Sequence, residues 1–258
     1  MDFSSVSNGA KIYFRINTPW FYIDVTQSAV SLLAVTVGLI IVAYFINKNL
    51  KKRPGGFQVI VEKLVGMLYG IVEDTMGKHN SRFAPYIGTL FLSSIFNTLI
   101  GMTQLFRSAT ADLSVTMAWA LVTTGMVWYS TIKNSGFKAW LKGFTEPIVV
   151  MTPMNIVSEI AQPLSLAFRH FGNVAGGGVL TSLIYMALSG LSSLLFGWLP
   201  GLLSTIPFLQ VGIPAFLSIY FDLFSGFVQA FVFSLLTMVY VGSACPPPEE
   251  KVEKTAEK

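Results

Sequence analysis

Apolar positions along this chain come in long unbroken blocks rather than in alternation with polar ones. No charge falls between Thr26 and Asn47, and residues 35–46 are almost wholly aliphatic and aromatic. A helix rises about 1.5 Å per residue, so about 20 such residues cross a ~30 Å hydrocarbon core. Two further charge-free runs are long enough to do the same: 83–106, between Arg82 and Arg107, and 113–132, between Asp112 and Lys133. Spans are therefore predicted over 28–47, 83–106 and 113–132. The stretch from Gly55 to Asn80 differs, with apolar Val59, Ile60, Leu64, Met67, Leu68 and Ile71 interleaved with Glu62, Lys63, Glu73 and Asp74. That helical spacing predicts an amphipathic helix lying on the membrane surface.

From Pro147 to Pro248 only Glu159, Arg169 and Asp222 carry formal charge. Such a stretch must lie mostly in lipid or in helix contacts, and it is too long for one span. Trp198-Leu199-Pro200-Gly201, with Pro207 and Pro214 nearby, marks a break. Two long, tilted helices are predicted over 153–195 and 214–243, with 244–258 a short solvated tail beginning at the Pro246–Pro248 stop. Residues 1–27 read as an external segment without an apolar core and small-residue cleavage site, so the chain is expected to insert by its own first span.

Composition agrees with this reading. Of 258 residues, 53% are hydrophobic and only 12% charged, and the mean hydropathy is +0.62. Soluble domains carry roughly a quarter charged residues. A cytosolic enzyme, a disordered tail protein and a nucleic-acid binder are excluded, and the single Cys245 cannot form an intrachain bridge. The expected class is an all-α integral membrane protein with about five transmembrane helices, one amphipathic surface helix and the lipid bilayer as surroundings. Lys48, Lys51, Lys52, Arg53, Lys63, Lys78 and Arg82 follow the first span, Lys133, Lys138 and Lys142 the third, and Lys251, Lys254 and Lys258 close the chain. The opposite side holds Lys11, Arg15 and Arg107. The positive-inside rule predicts an outside N-terminus, a cytoplasmic C-terminus and hence an odd number of crossings.

The candidate chemistry lies in the last two helices. An arginine at the centre of a membrane helix costs about 2.5–3.5 kcal/mol on insertion scales. Arg169 either snorkels to an interface, pairs structurally with an acid, or serves an ion path. On a helical wheel Ser158, Gln162, Ser165, Asn173 and Gly176 fall within about 40° of it, so one stripe of an oily helix is polar or small. The last helix repeats the pattern with Ser218, Asp222, Gly226 and Gln229. Asp222 reads either as an ion-path carboxylate or as a buried partner of Arg169, and Gln229 as a path residue or a helix–helix hydrogen bond. Gly172, Ala175, Gly176, Gly177 and Gly178 suit close helix packing or sliding against a moving neighbour.

The run Ser158-Glu-Ile-Ala-Gln-Pro-Leu-Ser165-Leu-Ala-Phe-Arg169-His-Phe-Gly-Asn173, together with Phe227-Val-Gln229-Ala-Phe-Val-Phe and Leu235-Leu-Thr-Met-Val-Tyr240, resembles subunit a of F-type ATP synthases. The resemblance covers nearly the whole chain. It implies an ion-translocating (H+ or Na+) stator beside a rotating c-ring, held by peripheral-stalk b subunits and other ATP synthase subunits in a bacterial plasma membrane. Two aqueous half-channels would reach the ring from opposite sides, with Arg169 the essential charge between them. Asn173 and Gln229 match the family's asparagine and glutamine. The resemblance implies no cofactor or metal, and no P-loop is present, so ATP chemistry belongs to other subunits.

Departures from the family pattern matter. His170 stands where many members have leucine, Gly178 where many have a carboxylate, and Asp222 where many have a histidine; other members share the glycine and the acid. Asp222 is thus the candidate half-channel carboxylate, and Glu159 a second channel acid near the helix start, with Gln162 and Ser165 on the same path. His170, about 100° around the wheel from Arg169, is either a proton relay or a packed neutral imidazole. A stand-alone secondary transporter or channel would also use an intramembrane Arg/Asp pair, but no inverted repeat or matched broken helices occur.

Overall fold

The computed structural model describes residues 11–17, 22–103, 108–146, 148–196 and 219–247. Its elements run in the order β1 (Ile12–Asn17), β2 (Tyr22–Thr26), α1 (Gln27–Lys48), α2 (Gly56–Met76), α3 (Ala84–Met102), α4 (Leu113–Ser135), α5 (Phe137–Gly143), α6 (Thr152–Phe196) and α7 (Ser225–Ser243). Short 3-10 turns precede α3, α4 and α6, and a π turn, Ile219–Phe224, leads into α7.

The N-terminal segment carries a hairpin that an all-α expectation does not include. β1 and β2 pair antiparallel with Arg15 directly opposite Asp24. The guanidinium donates to both carboxylate oxygens, Nη2 at 3.1 Å. The hydrogen bond from Arg15 holds the Asp24 carboxyl below its ordinary pKa, and the bond to Asp24 raises that of Arg15. A depressed carboxylate contributes stability above its unfolded pKa of about 3.9, and that contribution is lost as pH falls through the folded value. The protection of the amides of residues 12–17 and 22–26, their exchange taken relative to the intrinsic rate at each pH, is therefore expected to fall below about pH 4, and Asp24→Asn to remove that pH dependence. Protection that stays constant through this window would refute the clamp.

Thr26 closes the hairpin and opens α1, its Oγ1 accepting from Ala29 N at 3.4 Å. Most of α1 is bare to its surroundings; only Ser28, Ser31 and Val35 are buried, against α3 and the turn before α4. Helix α2 forms where the amphipathic pattern placed it and ends at Gly77, whose φ of +82° is strained for residues with a side chain. Its last turn packs Val72 and Met76 onto Ala84 and Ile87 of α3 and Met238 and Val241 of α7. A second cluster joins Leu90, Ala120, Leu166, Ala167 and Phe233, and so ties α3, α4, α6 and α7 together.

Four helical stretches among the described residues are long and apolar enough to cross a membrane: Gln27–Lys48, Lys78–Gly101, Val149–Leu195 and Ser225–Ser243. The fifth expected span is α4, a 23-residue helix whose buried Thr116, Thr123, Thr124 and Ser130 lower its apolarity. Thr116 and Thr124 donate back to the Leu113 and Ala120 carbonyls of α4 itself, and Thr123 and Thr237 approach to 3.4 Å between α4 and α7. At 45 residues, α6 is about 68 Å long, more than twice the hydrocarbon thickness. It cannot stand upright within the bilayer. Pro163 lies inside α6 and is itself buried, removing one i→i−4 bond there. The predicted break at 198–214 and the start of the last helix lie outside the described residues.

Candidate functional site

Beside Arg169, α6 meets α3 through His170 and Ser94, and α7 through Asn173 and Gln229, while α7 meets α3 at Gly226 and Thr98. Gly226 makes the crossing close, because a Cβ at that position would stand 2.6 Å from Thr98 Cγ2. One turn of α6 beyond Arg169, Asn173 Nδ2 donates to Gln229 Oε1 at 2.5 Å, linking α6 to α7. One residue from each of the two predicted polar stripes is thus in contact with the other. Gln229 is 4% exposed and its Nε2 has no partner.

Arg169 points the other way. Its side chain is exposed and, among the described side chains, pairs with no acid; the ion pairs there are Arg15–Asp24 and Lys142–Glu146. Ser158 and Ser165 are likewise exposed and Gln162 half-buried. A Cβ added at Gly172, Gly176 or Gly178 meets no atom of this chain within 4 Å. Among the described residues, the side of α6 that carries Ser158, Ser165, Arg169 and Gly172 is therefore open, while Asn173 at its edge reaches α7.

His170 faces inward. It is 0% exposed, with Nε2 3.3 Å from Ser94 Oγ and its ring edge-on to Phe233 at 5.3 Å and Trp119 at 6.0 Å. That is the packed arrangement, although Nδ1 has no partner. Glu159 accepts a hydrogen bond from Trp128 Nε1 of α4. It lies in a cleft of 380 Å³ lined by Trp128, Trp140, Phe144 and Ile156. Asp222 sits on the π turn Ile219–Phe224, a form frequent at functional sites; its side chain lies outside the described part of the structure.

Sequence reasoning passed over a buried polar seam beside this crossing. Ser108 Oγ donates to the Asn97 carbonyl at 2.9 Å, Thr110 Oγ1 lies 2.8 Å from Ser108 Oγ and 3.0 Å from Thr98 Oγ1, and Asn97 Oδ1 has no partner. At its outer end, Ser28 Oγ donates to Asp112 Oδ2 at 2.7 Å, while Asp112 also caps α4. Buried polar atoms cost free energy unless satisfied, so a seam of them in an apolar bundle calls for a reason. The signal was present as Ser94, Asn97 and Thr98, three and four residues apart on α3 within an oily run. Among the described residues no group of three His, Cys, Asp or Glu side chains is placed to hold a metal ion.

Known proteins share this arrangement's sequence. Residues 28–242 match the family described as ATP synthase A chain. The sodium ion specific ATP synthase subunit a of Propionigenium modestum is 33% identical, covering 84% of this chain and 73% of that protein. ATP synthase subunit a of Priestia megaterium is 32% identical over 85% of this chain and 93% of its own length. ATP synthase subunit a 1 of Crocosphaera subtropica is 31% identical over 87% and 89%. None of these matches supports a stand-alone transporter. With the family's segment spanning residues 28–242, from α1 to α7, the chain belongs to the ATP synthase A chain family, the non-catalytic, ion-translocating membrane subunit a of F-type ATP synthase.

Proposed function

We propose that the open side of α6 is the stator surface along which the c-ring turns, with Arg169 as the fixed charge between two half-channels. The observation that carries this reading is an exposed arginine that pairs with no acid among the described side chains, on a helix side where a Cβ at Gly172 or Gly176 meets no described neighbour. An intramembrane guanidinium of that kind needs a partner, and a passing ring carboxylate is one. Two unit charges about 4 Å apart attract by about 4 kcal/mol at an effective ε of about 20, which lowers a carboxylate pKa by about three units. The guanidinium keeps its proton under burial and so never becomes the carrier. Asn173 and Gln229, bonded to each other, hold α6 against α7 beside it.

The polar seam from Asp112 through Thr110 and Asn97 to Ser94 supports one half-channel reaching this level, with Asp222 its ion-binding carboxylate. Glu159, with Gln162 and Ser165 along the same helix, serves the other. His170 packs the crossing as a neutral imidazole on Ser94. The lysine-rich ends lie in the cytoplasm of a bacterial plasma membrane and the β-hairpin outside, with peripheral-stalk b subunits holding the chain against torque. Gly172→Cys is expected to cross-link to a cysteine on the outer helix of a ring subunit in the assembled complex, and ATP hydrolysis to spread the link over all ring positions. Full maleimide labelling of Gly172→Cys without any link to the ring would overturn the assignment. The likeness to a sodium ion specific relative makes the coupling ion a direct measurement: sodium-dependent, protonophore-resistant pumping marks Na+, and the reverse marks H+.

A further inference from the structure

The corner where α1 turns into α2 holds four basic residues in six positions, Lys48, Lys51, Lys52 and Arg53. All four are exposed, and among the described residues none has an acidic partner. No acid occurs between residues 49 and 61, and Glu62 is engaged by Gln58 Nε2 at 2.7 Å. The positive-inside rule accounts for lysines here, but it does not require them to be held in place. Here they are held. The Gln58 side chain accepts from Lys51 N and donates to Lys51 O, both at 3.0 Å, and Asn49 Nδ2 caps the Phe45 carbonyl at 2.9 Å.

Directly beside this fixed cationic turn lies a groove of 280 Å³ between the last turns of α1 and the first of α2. Val42, Phe45, Ile46, Leu50, Phe57 and Val61 line it. Its apolar walls run along α1, much of which is exposed, and it reaches the turn at Asn49, Leu50 and Gln58, the last bonded to Lys51. A hydrocarbon chain in the groove would thus carry its head to the cations.

We propose that this corner is a binding site for one anionic phospholipid, with an acyl chain in the α1–α2 groove and the phosphate on Lys51, Lys52 and Arg53. Charge complementarity selects the occupant: a zwitterionic lipid fills the same groove but brings no net charge to four cations that have no acidic partner among the described residues. Juxtamembrane basic residues each strengthen binding to anionic lipid about fivefold. Gln58 serves as the positioning residue that presents the turn.

The test uses the assembled complex in nanodiscs with a trace of phosphatidylglycerol or phosphatidylcholine bearing a diazirine on one acyl chain. Light-induced labelling of residues 42–61 is expected to be at least about fivefold higher with the phosphatidylglycerol probe. Lys51→Gln should cut that excess about fivefold, and Lys51→Gln/Lys52→Gln/Arg53→Gln should bring it to the phosphatidylcholine level. Val61→Trp, which fills the groove and removes no charge, should abolish labelling by both probes while ATP hydrolysis persists. Millimolar inorganic phosphate should not compete; competition would mean a free anion site and overturn the lipid assignment. Equal labelling by the two probes, or an unchanged ratio in the triple variant, would also overturn it.

Discussion

Arg169→Ala is expected to assemble normally and to lose ATP synthesis and ATP-driven pumping by a factor of at least about 100. The roughly 4 kcal/mol that a nearby guanidinium contributes to ionising a ring carboxylate corresponds to about three orders of magnitude in an equilibrium or rate. Without it the carboxylate stays neutral as it passes, and ions are neither released nor kept from leaking between the two sides. Assembly survives because Arg169 is exposed and, among the described side chains, leaves no acid stranded when it goes. Its removal even relieves a membrane-insertion cost of about 2.5–3.5 kcal/mol. Arg169→Lys is expected to fail almost as badly, since an ammonium lacks the planar fork and sheds its proton when desolvated. Vesicles carrying the assembled variant, assayed by ion-sensitive dye, settle the matter: near-normal pumping by Arg169→Ala would remove Arg169 from the mechanism.

The helices were legible because their signals are long. Twenty-two residues without an acid make α1, and the spacing of Val59, Leu64 and Ile71 makes α2. The arginine stripe was equally plain, since one charge in an oily run has few explanations. Short and cooperative features were not. Ile12, Phe14 and Ile16 alternate for only three positions, too few to announce a strand, and it is the cross-strand Arg15–Asp24 pair, nine residues apart, that makes the hairpin. Helix α4 reads as an ordinary span, yet its threonines are buried and Thr123 meets Thr237 of α7, which a pattern along one chain does not reveal. The seam of Asn97, Ser108 and Thr110 depends on a turn folding back over α3, so its members look like scattered loop and helix residues until the chain is folded. His170 shows the same limit. Its wheel angle separates it from Arg169, but only the packing of Ser94, Trp119 and Phe233 around it shows that it looks inward.

Asp222→Asn is expected to assemble and yet to slow ion flux at least about tenfold, because an amide neither takes up a proton nor offers a full negative charge to sodium. Asp222 stands on a π turn, where an extra residue widens the helix and re-aims the next side chains along it. The resemblance read from the sequence implies that many members of the family carry a carboxylate at the position of Gly178, on the neighbouring helix. The structure makes that exchange testable, since a side chain at Gly178 enters open space with no atom of this chain within 4 Å. Asp222→Gly combined with Gly178→Glu should therefore recover part of the flux that Asp222→Gly alone loses. A purely structural Asp222, paired with Arg169 to offset its burial, predicts something different. Breaking such a pair strands a charge at a cost of about 3–5 kcal/mol, so Asp222→Asn would then deplete assembled complex while the surviving copies pumped at the wild-type rate. The two readings separate on flux per assembled complex, measured by quantifying the subunit in the same vesicles. Wild-type flux per complex in Asp222→Asn, or no recovery at all in a well-assembled double variant, would rule out the carboxylate's transfer between helices.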